Sequence, residues 1–277
     1  MPEFNGIEPV CPFDVTMYRQ KRTEIEPDNR IDVLKILKEA DVLYERNDPF
    51  GARDLLEDYY RTSLEYNDRE GQLGMLCELL GCYRKTHDAE RGIWAAFECR
   101  RLIADLGLEG TVTAGTVLLN AATTMKEFGR SAEAVPLYDT AARAYLNNLD
   151  PSDYRFAGLF NNYASCLEEL GELQSAEEYY KRALTIVSKL PECKVEEAVT
   201  YVNLACLYES SDPVDERIDQ CIRKAIAIFQ SNEIKKDGYY AFNVLKCTDA
   251  FDHFGYFRDA RELKKSSEEI YGILQNS

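Results

Sequence analysis

The stretch FNNYASCLEELGELQSAEEYYKRALTI, residues 160–186, has the pattern of two amphipathic helices joined by a tight turn at Gly171. Apolar and small residues recur in steps of three and four, which places them on one face of each helix. These residues are Phe160, Tyr163, Ala164 and Leu167 in the first helix, and Ala176, Tyr180, Ala183 and Leu184 in the second. The alanines mark points where two helices must approach closely. The stretch therefore predicts an antiparallel helix pair.

The same pattern returns along the chain with a period of about 42 residues. Ala176 and Ala183 have counterparts at Ala134 and Ala141, one period upstream. Turn glycines recur between the helices of a pair, at Gly129, Gly171 and Gly255. We expect the four alanines to be almost fully buried where helices cross.

This repeat resembles the tetratricopeptide repeat, which combines a bulky residue, a Tyr, a turn Gly and small residues at helix contacts. Two segments are similar to repeats of kinesin light chains, spindle-orientation adaptors and bacterial peptide-pheromone receptors: NNYASCLEELGELQSAEEYYKRALTI and YVNLACLY. The resemblance implies an all-α fold, a right-handed superhelical solenoid of about six antiparallel helix pairs. No heptad coiled coil and no DNA-binding helix-turn-helix is recognisable, so the specific family stays open.

The predicted domain layout is an extended arm over residues 1–30 and a helical repeat domain over 31–277. The expected helices cover about 32–46, 49–66, 70–85, 88–106, 112–128, 131–149, the stretch quoted above, 193–210, 213–231 and a last pair ending near Leu274. Asp48 followed by Pro49, and Asp212 followed by Pro213, both have the pattern of an N-cap residue before a helix-initiating proline. Pro136 should bend its helix because it removes a backbone donor.

The arm carries Pro2, Pro9, Pro12 and Pro27 and has no helical period. It either covers the first repeat through Phe4, Val10, Phe13 and Tyr18 or remains a free tail. We expect it to act as the terminal cover that a repeat array needs.

Composition narrows the class of protein. The net charge of −16 disfavours a nucleic-acid partner, because phosphate contacts need clustered Lys and Arg. The sequence shows neither an apolar run of membrane-spanning length nor a signal-peptide pattern, so we expect no membrane association. Its nine cysteines have no CxxC spacing, which favours free thiols in a reducing compartment and a cytoplasmic location.

The resemblance also indicates a binding face. In such arrays the first helix of each pair lines the concave groove, and its sixth position reads Asn120, Asn162 and Asn203 in three successive units. An asparagine amide offers both a donor and an acceptor, so it can hold a peptide backbone whatever the side chains. Asn161, beside Asn162, is a further candidate. The alternative is that asparagine is simply tolerated on a polar face or caps neighbouring groups.

The same register assigns charges to the groove, basic early and acidic late. The early units contribute Arg84, Lys85, Lys126 and Glu127, and the later units contribute Glu168, Glu169, Glu209, Lys246, Asp249 and Asp252. Electrostatic complementarity then favours a protein or extended peptide of mixed charge. A merely solvated charged face is the competing interpretation.

We therefore predict a non-catalytic protein-binding scaffold or adaptor that needs no cofactor. A regulatory sensor, in which a peptide changes the pitch of the superhelix, is the alternative. A helical-repeat enzyme is a weaker one: His87 and His253 have no second His at metal-ligand spacing. The sequence contains no HExxH, GxxxxGK[ST] or GxSxG pattern. Partner and oligomeric state are open.

Overall fold

The computed structural model describes residues 29–46 and 48–275. The predicted arm, with Phe4, Val10, Phe13 and Tyr18, lies outside the described residues. The chain divides into two compact units between Leu149 and Asp150. We call the described residues up to Leu149 the first half and those from Asp150 the second half.

The first half consists of three helix pairs. Their bounds are α1 Val33–Glu45, α2 Pro49–Glu65, α3 Arg69–Lys85, α4 Ala89–Asp105, α5 Val112–Glu127 and α6 Ser131–Asn148. Each helix packs on the next one in the chain, and the first helices of successive pairs also meet, α1 with α3 and α3 with α5. This is the nearest-neighbour packing of a repeat array.

The second half repeats the arrangement with three more pairs. Their bounds are α7 Arg155–Glu169, α8 Leu173–Val187, α9 Lys194–Ser211, α10 Glu216–Gln230, α11 Gly238–His253 and α12 Phe257–Gln275, with a short 3-10 helix at Pro191–Cys193. Here α9 lies between α7 and α11 and contacts both. The prediction of an all-α fold built from six helix pairs is confirmed.

The small residues that set the period lie where helices cross. Ala134 and Ala141 in α6, and Ala176 and Ala183 in α8, are all 0% exposed. Large aromatic side chains fill the space beside them, and Tyr138, Tyr145 and Tyr180 are likewise 0% exposed. The burial confirms the register taken from the sequence.

Local signals set most helix ends. The Asp48 side chain accepts a hydrogen bond from the Gly51 backbone, with Pro49 at the first helical position, as predicted. Gly129 and Gly171 have φ values of +74° and +79° at the ends of α5 and α7, where a side chain would be strained.

The structure tests the expected start of α10, whereas the expected bend at Pro136 stays a prediction. The prediction that α10 begins at Asp212–Pro213 is wrong. Helix α9 runs through Ser211, and a turn follows. Asp215 is the N-cap of α10, and its side chain accepts a hydrogen bond from the Arg217 backbone N–H. The helix α6 continues through Pro136 from Ser131 to Asn148.

The only tryptophan of the sequence, Trp94, lies on α4, where its size predicts that it fills space between repeats. It is 45% exposed and makes an edge contact with Tyr60 of the preceding pair, at 5.9 Å between ring centroids. Trp94 therefore contacts the neighbouring repeat while part of its side chain stays exposed.

A charged clip joins successive pairs in both halves. In the first half, Glu57 on α2 accepts hydrogen bonds from Tyr83 of α3 at 3.2 Å and Arg91 of α4 at 2.5 Å. In the second half, Glu177 of α8 accepts from the corresponding residues, Tyr208 of α9 at 3.1 Å and Arg217 of α10 at 2.9 Å. The Arg217 guanidinium also lies 3.8 Å from the centroid of the Tyr208 ring.

The eight described cysteines are free thiols, and all but Cys206 are buried. In the described part of the chain, no helix combines the length and apolar character needed to cross a membrane.

Candidate binding faces

Each half presents one face made by the first helices of its pairs. The first-half face is formed by α1, α3 and α5, and the second-half face by α7, α9 and α11. Arg84, Asn120 and Lys126 belong to the first-half face. The remaining predicted site residues belong to the second-half face: Asn161, Asn162, Glu169, Asn203, Glu209 and Lys246. That the three aligned asparagines share one wall stays a prediction.

On the first-half face, two predicted binding residues connect α3 with α5. Arg84 Nη1 donates to Thr124 Oγ1 at 2.7 Å and to the Asn120 carbonyl at 3.3 Å. The Asn120 side chain donates in turn to Cys77 Sγ at 3.2 Å. Both side chains therefore contribute to the joint between neighbouring helices.

The other basic residues of this face are similarly engaged. The Lys85 ammonium lies 3.9 Å from the centroid of the Tyr44 ring, and the Tyr44 hydroxyl contacts Cys82 Sγ at 2.6 Å. Lys126 is 1% exposed, so the expectation of an open basic group there is wrong. The basic residues predicted at this end of the groove are therefore mostly engaged within the protein, because they are buried or already have aromatic or polar neighbours.

Glu78 of α3 occupies the position that Asn120 holds in α5. Burial, reinforced by the nearby Asp41 carboxylate, raises the pKa of Glu78 to about 7. Lys85 and Arg84 oppose the rise. The first-half face thus contains a half-buried carboxyl group that changes charge near neutral pH.

On the second-half face, Asn161 connects α7 with α9. Its amide nitrogen donates to Thr200 Oγ1 at 2.9 Å and to the Ala157 carbonyl at 3.2 Å. Its amide oxygen is enclosed and accepts no hydrogen bond from the described residues. Asn161 is therefore an internal joint rather than an open contact.

Asn162, the next residue, differs from Asn161. It is 5% exposed, and among the described residues its side chain makes no hydrogen bond. Its amide is also not among the enclosed unpaired groups. Asn203, its counterpart on α9, is 2% exposed. The side chain of Asn162 is consequently held at the edge of the packed core with its hydrogen-bonding capacity unused.

The charged groups of the second-half face are more open than those of the first. Glu209 contacts His253 Nε2 at 2.8 Å, Glu168 accepts from Tyr180 at 3.3 Å, and Lys246 lies 4.8 Å from the Phe242 ring centroid. Four of the predicted charges are exposed: Glu169, Lys246, Asp249 and Asp252. This face carries mainly negative charge.

Sequence reasoning missed a polar network on the same face. Glu196 and Thr200 on α9, with Tyr239 and Asn243 on α11, are linked by hydrogen bonds to one another and to Asn161. The available signal was spacing: Glu196 precedes Asn203 by two helical turns, as Tyr239 precedes Lys246. No motif marks these residues, because their partners lie about 40 positions away.

These faces, on stacked antiparallel helix pairs with buried small residues at the crossings, define a helical-repeat protein of the tetratricopeptide type. Residues 155–213 match the sequence model of the tetratricopeptide repeat. No curated protein matches the sequence significantly.

Solved structures show the same fold. BtubC (BKLC) from P. vanneervenii superposes with a TM-score of 0.53 at 18% identity, covering 90% of this chain and 94% of that one. The nearly identical TPR-like repeats of a protein described as a Podosopora anserina kinesin light chain superpose with a TM-score of 0.52 at 16% identity. That match covers 74% of this chain and 98% of the other. The resemblance to kinesin light chain repeats is confirmed for the fold.

Proposed function

We propose that this protein is a non-catalytic protein-binding module whose second-half face holds an extended peptide segment of its partner. Two features support the proposal: the tetratricopeptide fold, which presents first-helix faces to ligands, and the chemistry of α7, α9 and α11. The second-half face is a better candidate than the first-half face because it carries Asn162 and the exposed charges of Lys246, Asp249 and Asp252.

The observation that carries the proposal is the unused amide of Asn162. A side chain 5% exposed has little rotamer freedom left to lose on binding, so its donor and acceptor are already oriented. A peptide backbone offers both an N–H and a C=O to such an amide. Asn162 therefore provides sequence-independent affinity at the middle of α7.

The surrounding charges select the side chains of the peptide. Glu169, Asp249 and Asp252 are exposed acidic groups, and Lys246 is an exposed basic group at the Asn-equivalent position of α11. A peptide with Lys or Arg opposite the carboxylates and an acidic residue opposite Lys246 has the complementary pattern. Exposed charges of this kind act mainly on association rate and register.

The test is a selection of random decapeptides displayed in vitro against the full chain, followed by titration calorimetry on the best binders. We expect Asn162→Ala to lose about 0.5–1.5 kcal/mol of binding free energy. The exposed Asn232 in the turn before α11 gives a matched control, and Asn232→Ala should bind like wild type with the same melting temperature.

Selected peptides that bind Asn162→Ala as well as wild type would place the binding site elsewhere on the molecule.

A cytoplasmic location is a further part of this proposal. The eight described cysteines are all free, as expected for a chain kept in a reducing compartment.

A further inference from the structure

The helical turn of α7 that precedes Asn162 contains a glycine. Gly158 lies four residues before Asn162, so the two share one face of the helix, about 6 Å apart along its axis. Gly158 is partly exposed. Beyond its chain neighbours and the backbone of α7, a Cβ atom built on Gly158 would have no heavy atom of a described residue within 4 Å. Helix α7 therefore has an open notch beside Asn162.

The notch lies on the side toward which the Asn162 side chain tilts. Side chains of an α-helix tilt toward its N-terminus and cover the preceding turn. Only 5% of Asn162 is exposed, so a ligand must come down to the level of the helix surface to reach its amide. A side chain at position 158 would stand in that path, and glycine leaves the path clear.

The other two aligned asparagines follow a residue that has a side chain. Thr116 precedes Asn120 by four residues, and Val199 precedes Asn203 by four residues. Thr116 and Val199 are 1% and 0% exposed, so their side chains belong to the packed interior. Of the three asparagines, Asn162 is thus the one whose preceding turn is open.

The described packing around Gly158 does not require a glycine. A Cβ atom on Gly115 of α5 would lie 2.8 Å from the Tyr145 ring, so close packing excludes a larger residue there. At Gly158 the corresponding contact is missing among the described residues, although glycine is less favourable than alanine inside a helix. Close approach of a ligand to the backbone is a common reason for glycine in such a place.

We propose that the main chain of the bound peptide lies against α7 at Gly158, where its N–H and C=O groups reach the amide of Asn162. This proposal rests on the proposed function. It adds the place at which the peptide crosses α7 and identifies the recognised group there as backbone. A side chain at position 158 would hold the peptide away from Asn162.

The first test titrates the full chain with the best selected decapeptide by calorimetry. Gly158→Ala and Gly158→Leu place a small and a large side chain in the notch. We expect Gly158→Leu to weaken binding by roughly tenfold or more, which is comparable with the loss of one hydrogen bond. Gly158→Ala should weaken binding by a smaller factor, because its side chain is shorter.

Gly81 of α3 gives the matched control. It is also a partly exposed glycine inside a helix, and the nearest described atom to a Cβ built on it is Arg84 Nη2, at 3.9 Å. Gly81→Ala and Gly158→Ala should both raise the melting temperature, because alanine favours the helix. Gly81→Leu should bind the peptide like wild type. A lower melting temperature for Gly158→Ala would show that the notch is already filled and would overturn the proposal.

A second test distinguishes the main chain of the peptide from its side chains. Copies of the peptide each carry one methylated backbone nitrogen, so each lacks one N–H donor. We expect one copy to bind wild type roughly tenfold more weakly, and this loss to shrink with Gly158→Leu, which has already lost the same contact. If Gly158→Leu weakens binding but changes the loss for none of the copies, a side chain occupies the notch and the proposal is wrong.

Equal binding of the peptide to Gly158→Leu and wild type would also overturn this proposal. If the peptide remains sensitive to Asn162→Ala in that case, the proposed function survives. If no selected peptide is sensitive to either position, both proposals fail.

Discussion

The two halves of the chain share one architecture but use the polar residues of their first-helix faces differently. In the first half, Arg84 and Asn120 bond across α3 and α5, and Lys85 lies on the Tyr44 ring. In the second half, the enclosed oxygens of Asn161, Glu196 and Asn243 and the amide of Asn162 have no partner among the described residues. The same repeat therefore uses its polar residues for a joint between helices in one place and leaves several of them without a described partner in another.

This difference shows why residue type and helical position do not define a binding site. Asn120 and Asn162 occupy equivalent positions, but Cys77 on the neighbouring helix takes the hydrogen bond of Asn120. What decides the role is the residue that the next helix presents. We infer that the first half is mainly structural and that the second half is the binding half.

The largest expected effect is on the free energy of unfolding, and it concerns the buried alanines that both halves have at their helix contacts. Ala134→Leu and Ala176→Leu each insert a larger side chain at a site with 0% exposure, so each should lower the free energy of unfolding by about 1–3 kcal/mol. Urea denaturation measures both losses. Ala132→Leu, at an exposed position of α6, should cost far less. A similar loss for Ala132→Leu would contradict the assigned helix contacts.

The next effect is specific to the first half. The pKa of Glu78 is raised from 4.5 to about 7, so the folded chain binds more protons than the unfolded chain between these values. Its contribution to the free energy of unfolding should fall as pH rises from about 4.5 to about 7 and then stay constant. Glu78→Gln should remove this dependence and stabilise the chain at pH 8 by on the order of 1–3 kcal/mol.

Urea denaturation at pH 5 and pH 8 gives the measurement for Glu78. Glu65→Gln, at an exposed position of α2, is the control and should follow the wild type at both values. An identical pH dependence for Glu78→Gln and wild type would show that the carboxyl is as well solvated folded as unfolded.

A smaller effect compares the two charged clips. Glu57→Gln and Glu177→Gln each weaken the bonds to a Tyr and an Arg, and each should cost below about 1 kcal/mol, because part of the pair is exposed. The loss should shrink as salt is added. Thermal melts at low and high salt provide the test, and a larger loss at high salt would rule out an electrostatic origin.

The fold was predictable because its signals are local and repeated. Ala176 and Ala183 with their counterparts gave the register, and Gly129 and Gly171 gave the turns. Asp48 and Pro49 correctly marked the start of α2, whereas Asp212 and Pro213 did not mark that of α10. The wrong start has a physical reason: α9 continues to Ser211, so the dipeptide falls in the turn rather than at a cap.

The site was less predictable because it depends on contacts between helices. Periodicity placed Asn161 and Asn162 on the same helix face but could not show that Thr200 bonds one of them. Burial of Lys126 and exposure of Trp94 likewise depend on neighbouring helices and on no local pattern. Glu196 carries no motif, and its hydrogen bond to Tyr239 joins residues 43 positions apart.

The most direct measurement of the central claim compares equivalent asparagines in the two halves. Asn120→Ala and Asn162→Ala are titrated by calorimetry with the same selected decapeptide, and their melting temperatures are recorded. We predict that Asn162→Ala weakens binding by about 0.5–1.5 kcal/mol with an almost unchanged melting temperature, whereas Asn120→Ala lowers the melting temperature and binds like wild type. Weaker binding of Asn120→Ala, with Asn162→Ala unaffected, would contradict the assignment of structural and binding roles to the two halves.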